Sequence, residues 1–367
     1  MKNFINFHVL ISHSPSCINR DDMNMQKSAV FGGKRRVRIS SQSLKRAMRH
    51  SDYYRAHLGK PSIRTRSLGR IKAKSVEALG ERFSEETIVK AIEWISEKSG
   101  IGEDSRADAV APWVIAEIAR FCEEIDKVGA DLDEKKLKKY IEKNAADFRA
   151  ATSQAVDIAL SGRMATSGLM TSVDGAMAVA HAITTHTVDS DVDWFTAVDD
   201  LVEDEGEVGA GHLNTQEFSS GVFYRYASLN IAQLQENLGG VPRDRALEIA
   251  GHLAHLLATV VPDAKQQSFA AHNLADAVLV SFADQPLSLA NAFEQAVQAD
   301  QRQGGYRLPS FEALVNHWDR LDTGYGLGEQ PALFSIFDKD AVPIPERVTV
   351  QPNLAALQAW IAKDDQG

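Results

Sequence analysis

Residues 4–12 alternate strictly: Ile5, Phe7, Val9 and Ile11 fall on one side, Asn6 and His8 on the other. A period of two is the repeat of an extended chain, so this segment predicts a strand with one buried face. One strand can neither satisfy its own backbone nor cover that face, so the remaining chain must supply a sheet and a layer against it. "KRRVRIS" (34–40) alternates again, with Val37 and Ile39 facing in and Arg36 and Arg38 facing out. "VFYRYASL" (222–229) and "ADAVLVSFA" (275–283) read as two more strands.

Helical signals fall between these strands. Ser40 or Ser41 caps a helix whose apolar residues are Leu44, Ala47 and Met48, with Lys45, Arg46 and Arg49 off that face. "PRDRALEIAGHLAHLLATVV" (242–261) is amphipathic with Pro242 at its start. Two more helices are expected near 288–298 and 309–321. Residues 58–180 form a mainly helical insertion. There "SEETIVKAIEWI" is capped by Ser84, Pro112 is expected near the first position of the next helix, and Gly162 stops the last one. Residues 185–217 hold an acidic, glycine-rich middle between apolar ends and read as a long, exposed, hairpin-like loop. Removing the insertions leaves β-α-β-β-α-β, an α+β, ferredoxin-like plan. The main domain then comprises 1–57 and 218–367.

Hydrophobic residues make up 44% of the chain and charged residues 25%, as in ordinary globular proteins. No apolar run approaches the ~20 residues of a membrane span, and two unpaired-looking cysteines point to a reducing, cytoplasmic setting. The formal net charge is −10, yet residues 1–70 carry 15 basic and 3 acidic side chains. Seven of those bases lie within "GGKRRVRISSQSLKRAMRH" (32–50), which contains no acid. A polyanionic partner accounts for this; so does docking on an acidic protein surface.

Catalytic patterns are weak. "FGGKRR" has neither the spacing nor the hydroxyl of a P-loop. Asp189, Asp191 and Asp193 begin like a calcium loop, but Trp194 stands where glycine is needed and Asp200 where glutamate is needed. His181 and His186 are five apart and lack the companions of a zinc site, and Cys17 near His13 has no third group. The basic segment is more informative. Strand arginines, the Ser40–Ser41–Gln42 turn, a helix N-terminus and Lys45, Arg46 and Arg49 are donors of the type that bind phosphates. Met164, Trp194, Phe195 and Leu213 are candidate apolar contacts for bases, or else core residues.

"HVLISHSPSCINRDDMNMQKSAVFGGKRRVRISSQSLKRAMR", "ALSGRMATSG", "HAITTH", "DSDVDWFTAVDD" and "NTQEFSSGVFYRYA" together resemble the CasC family, the crRNA-binding backbone subunits of type I-E CRISPR Cascade surveillance complexes. The resemblance runs from residue 3 to about 330. It implies a non-catalytic protein with a palm like a modified RNA-recognition motif, helical fingers and a long thumb loop, needing no cofactor or metal. Copies would polymerise head to tail on the crRNA spacer, with target DNA and other Cascade subunits as further partners and no membrane. Arg20, Lys27, Ser40, Gln42, Lys45, Arg46 and Arg49 match the family's phosphate grip, and Met164, Phe195 and Leu213 its wedge at a displaced base. Lys135, Lys136 and Lys139 match a finger stripe that touches target DNA. The rivals from other classes are a metal-dependent nuclease built on Asp189, Asp191 and Asp193, and a protein-only scaffold.

Overall fold

The computed structural model describes residues 2–128, 140, 155–164, 170, 172–196, 213–302, 304–338 and 340–364. In chain order its elements begin with β1 (Phe4–Ser16), β2 (Ser28–Phe31), β3 (Lys34–Ile39), α1 (Ser41–His50) and α2 (Asp52–His57). There follow β4 (Ile63–Ser67), α3 (Leu68–Leu79), α4 (Glu85–Ser96), β5 (Arg106–Trp113), α5 (Ile115–Val128) and α6 (Val156–Ser161). Next come β6 (Met177–Val179), β7 (Ala182–Thr184), β8 (Asp191–Thr196), β9 (Leu213–Asn230), α7 (Ile231–Asn237) and α8 (Arg243–Thr259). The last are α9 (Gln266–Phe269), β10 (Ala275–Ala283), α10 (Arg307–Tyr325), β11 (Ala332–Ser335), β12 (Thr349–Gln351) and α11 (Leu354–Ala362). Two compact units result: residues 1–51, 179–228 and 250–367 form one, and 52–178 with 229–249 the other. No helix among the described residues is long and apolar enough to cross a membrane.

The first unit is built on a mixed sheet in the order β12-β11-β10-β1-β9-β7-β3-β2, with β8 also paired to β9. Its middle, β10-β1-β9-β7, carries the expected connectivity: with α1 and α8 in their places in the chain, the strands run fourth, first, third, second. β1 pairs antiparallel with β10 in a register that matches Val9 to Val278 and shifts after Leu10. All nine residues of β10 are buried. The one-faced burial expected of β1 is corrected: Asn6 and His8 are as buried as Ile5 and Phe7, because both faces of this central strand are covered. Its polar residues are satisfied internally. His8 Nδ1 lies 2.8 Å from the Tyr224 hydroxyl, and Asn6 Oδ1 accepts from Tyr226 (3.0 Å) and from the Leu287 N–H (3.1 Å). Burial lowers His8 from 6.5 to about 3, so the ring is neutral.

The helix expected at 288–298 is only a 3-10 turn at Ala290–Phe293. The carbonyls of Phe293 and Glu294, which a helix would use, instead accept from the Arg36 guanidinium, and the Val297 N–H donates to Thr185 O. α10 forms as expected and stops at Gly326, whose positive φ of 62° ends the helix.

The second unit packs α3, α4 and α5 around a core containing Ile71, Ile88, Ile92, Trp113, Ile118 and Phe121. Ser84 caps α4 through the Thr87 N–H, and Gly162 closes α6 with a positive φ. The insertion is not wholly helical, since β4 and β5 form an antiparallel pair. Pro112 is corrected from helix start to strand: it sits opposite Arg64, and α5 begins only at Ile115. A two-stranded ribbon has an open edge, where a missing N–H is tolerated.

Candidate nucleic-acid interface

The basic segment is assembled from β3, α1 and the loop before β2, which hydrogen bonds tie to one another. Ser40 adopts extended backbone (φ −66°, ψ 146°) and caps α1, its Oγ accepting from the Ser43 N–H at 3.3 Å. No acid occupies the first turn, so the positive end of the helix is uncompensated and favours an anion. Asn19 ties the preceding loop to this cap: its Oδ1 accepts from the Ser40 N–H at 2.8 Å, and its carbonyl accepts from the Lys27 N–H at 2.9 Å. The Lys27 carbonyl in turn accepts from the Arg38 N–H. Arg20 is exposed and half-fixed, donating to Asn24 Oδ1 at 2.8 Å, while Asp21 Oδ1 accepts from the Met23 and Met25 N–H groups to hold the loop tight.

On α1, Gln42 and Arg46 are exposed and Lys45 is half-buried. The expectation that Arg49 lies off the buried face is corrected. It is buried on the same arc as Leu44 and Met48, one position round from Met48. Arg36 is corrected too. It is fully buried, and it donates to the carbonyls of Thr184 (3.2 Å), Phe293 (3.0 Å) and Glu294 (3.3 Å). Burial lowers its pKa, with Glu294 opposing that shift. Arg36 is therefore a clamp beneath the strip. Gly32 is bound to the same spot, because a Cβ there would lie 1.7 Å from the Glu294 carbonyl oxygen. Arg38 stays at the surface, its Nε donating to Ser28 O at 3.0 Å and its Nη1 lying 2.9 Å from His181 Nδ1. His181 is lowered by burial and by the neighbouring Arg38 and Lys27, which makes it a neutral acceptor for the guanidinium. His186, five residues on, is elsewhere, stacked on Tyr306 at 3.6 Å between centroids.

Met164 belongs to the second unit and is 86% exposed. The residue before it is locked: Arg163 is fully buried and grips Glu117 through two bonds of 2.6 and 2.7 Å, while its backbone pairs with Val173. Residues 191–196 and 213–218, expected within a loop, are a strand pair in which Phe195 stands opposite Asn214 and Leu213 opposite Thr196. Trp194 in that ribbon is 63% exposed. Lys135, Lys136 and Lys139 lie outside the described residues.

A family model described as "CT1975-like protein" matches residues 5–362. The chain belongs to that family. This CT1975-like chain is also similar in structure to chains of two solved assemblies. One is titled "CRISPR RNA-guided surveillance complex, pre-nicking", with a TM-score of 0.80, 29% identity and coverage of 98% of this chain and 99% of the other. The second, "CRISPR RNA-guided surveillance complex", gives a TM-score of 0.62 at 26% identity with the same coverages. No curated protein matches.

Within the CT1975-like chain, sequence reasoning missed Asn19 as the tie between loop and cap, and Glu117 as the anchor behind Met164. Neither has a local signal. Asn19 acts 21 residues away and Glu117 46 residues away.

Proposed function

We propose that this chain is a guide-RNA-binding backbone subunit of a Cascade-type surveillance complex, of the type I-E CasC kind. In this role the first unit serves as an RNA-recognition-like palm, and copies bind head to tail along the crRNA spacer. Such heterologous contacts do not close, so they build a helical filament. Arg20, Lys27, Ser40, Gln42, Lys45 and Arg46 hold phosphates. Met164, Phe195 and Leu213 pack against a displaced base, and Lys135, Lys136 and Lys139 touch target DNA. The chemistry is electrostatics and stacking, with no catalytic step, cofactor or metal. The remaining bases are left free to pair with target DNA in the cytoplasm.

The observation that carries this proposal is a capped helix start with no first-turn acid, tied through Asn19 to the loop that bears Arg20 and Lys27 and through Lys27 to Arg38, with Arg46 exposed on the helix itself. A spacer-binding protein must accept any sequence, so contacts to phosphate, which carry no sequence information, fit the task. Membership of the CT1975-like family and likeness to chains of RNA-guided surveillance complexes support it.

The test is coexpression with a CRISPR array and the other subunits, followed by sizing of the copurified RNA. Lys45→Glu with Arg46→Glu removes the grip without placing a carboxylate at the buried Arg49. RNA of one discrete length that is lost in the variant is the expected result. A variant complex that keeps full-length protected RNA would assign the strip to protein contacts instead.

A further inference from the structure

Among the described residues of the second unit, some surface cations are ion-paired and others are not. Lys72 pairs with Glu85 at 2.7 Å, Arg82 with Glu123 at 3.1 Å, Lys98 with Asp108 at 3.1 Å and Lys127 with Glu124 at 3.2 Å. Arg66, Arg70, Lys74 and Arg106 are all exposed, and among the described residues none of them has an acidic partner. The adjoining loop carries Glu103 and Asp104, both exposed, and neither pairs with any of the four.

Backbone structure brings these four cations together. β4 alternates, with Ile63 packed on the core and Arg64 and Arg66 exposed. Ser67 ends the strand and caps α3, its Oγ accepting from the Arg70 N–H. Arg70 therefore sits in the first turn, with Lys74 one turn further along the same side. The pairing of β4 with β5 shifts between Thr65–Ala111 and Ser67–Arg106, so β5 bulges and carries Arg106 opposite the start of α3. That start is fixed by the Leu68 N–H, which donates to Ser105 O at 2.8 Å, and by Gly69, where a Cβ would lie 2.1 Å from Glu103 O.

We propose that Arg66, Arg70, Lys74 and Arg106 form a second phosphate-binding face, separate from the strip around α1, for the backbone of a nucleic-acid strand. Like charges brought together and not ion-paired repel one another, and a polyanion relieves that repulsion. Three of the four are arginines, whose planar fork matches a phosphate through two parallel bonds. Alternate residues on a strand are about 6.7 Å apart, so Arg64 and Arg66 repeat at close to the spacing of successive phosphates in one strand. Arg64 joins only weakly, because Asp157 lies 3.8 Å from it. The assignment rests on the function proposed above for the identity of the polymer, which is either the guide RNA or the DNA it pairs with.

The test uses the assembled complex with its guide, carrying Arg66→Ala, Arg70→Ala and Arg106→Ala together. The control is Arg82→Ala, Lys98→Ala and Lys127→Ala, which removes the same charge from paired positions of the same unit. Guide RNA retained per complex is measured against rising salt, and affinity for a complementary DNA duplex is measured from about 50 to 200 mM salt. The test triple is expected to weaken one arm about tenfold or more and to reduce its log–log salt slope by about 2 to 3, while the control changes neither. A change in the RNA arm assigns the face to the guide, and a change in the DNA arm to the target. Arg66→Glu alone, at an exposed strand position, moves the same arm if the triple lowers yield. RNA-loaded complexes whose slopes equal the control's overturn this face alone, as does a loss confined to subunit assembly, which would mean an acidic protein partner. A wild-type complex without RNA overturns the proposed function and this face together.

Discussion

Breaking the Glu117–Arg163 pair is the sharpest test of what holds Met164 in place. Both side chains are almost completely buried, and the guanidinium reaches the carboxylate through two bonds of 2.6 and 2.7 Å. Removing one partner leaves the other charged, desolvated and unmatched, which costs about 3–5 kcal/mol. Glu117→Leu or Arg163→Met alone should therefore lower the urea midpoint by about 2 M, taking a slope near 2 kcal/mol per molar. The double substitution removes both charges and refills the space with apolar atoms, so it should recover most of that loss. Equilibrium unfolding followed by circular dichroism on the four proteins gives the coupling energy directly. Single substitutions that cost less than about 1 kcal/mol, or a double variant as unstable as the sum of the singles, would refute the reasoning.

Acid should destabilise the chain through His8 and His13, which burial holds neutral with pKa values of about 3. The unfolded chain takes up these protons near pH 6.5, so their contribution is complete above that pH and is lost toward pH 3. The loss is about 1.4 kcal/mol per pH unit for each ring; a denaturation midpoint independent of pH between 6.5 and 4.5 would contradict it. Ser40→Ala should cost about 1 kcal/mol by removing the α1 cap, and should weaken all RNA sequences alike in a filter-binding series. Gly32→Ala should reduce folded yield, because its φ of 59° and the Glu294 carbonyl both exclude a Cβ; full stability by thermal melting would count against that contact. Met164→Ala should leave the melting temperature unchanged and impair target pairing, since the side chain is exposed.

Many of these features are legible in the sequence because they rest on local chemistry. Ser40, Ser84, Gly162 and Pro242 mark helix ends because capping depends on a few adjacent residues. The strands at 4–12 and 275–283 are readable in the sequence, whereas β7, the short second strand of the fourth-first-third-second arrangement, has no sequence signal long enough to read. The cationic strip is equally plain, because seven bases without an acid is a property of composition.

Tertiary structure decided which of those bases meet solvent. Alternation placed Arg36 outside, yet three carbonyls from distant segments capture it, two of them, those of Phe293 and Glu294, in the segment expected as a helix at 288–298, which forms only a 3-10 turn. Helical periodicity placed Arg49 outside, yet the arc of α1 that is covered extends one residue beyond its apolar stripe. The anchoring of Met164 by Glu117, and the lack of an acidic partner for Arg66 and Arg106 among the described residues, were invisible for one physical reason. Pairing a charge, or failing to pair it, depends on residues tens of positions away, and a linear pattern records only neighbours.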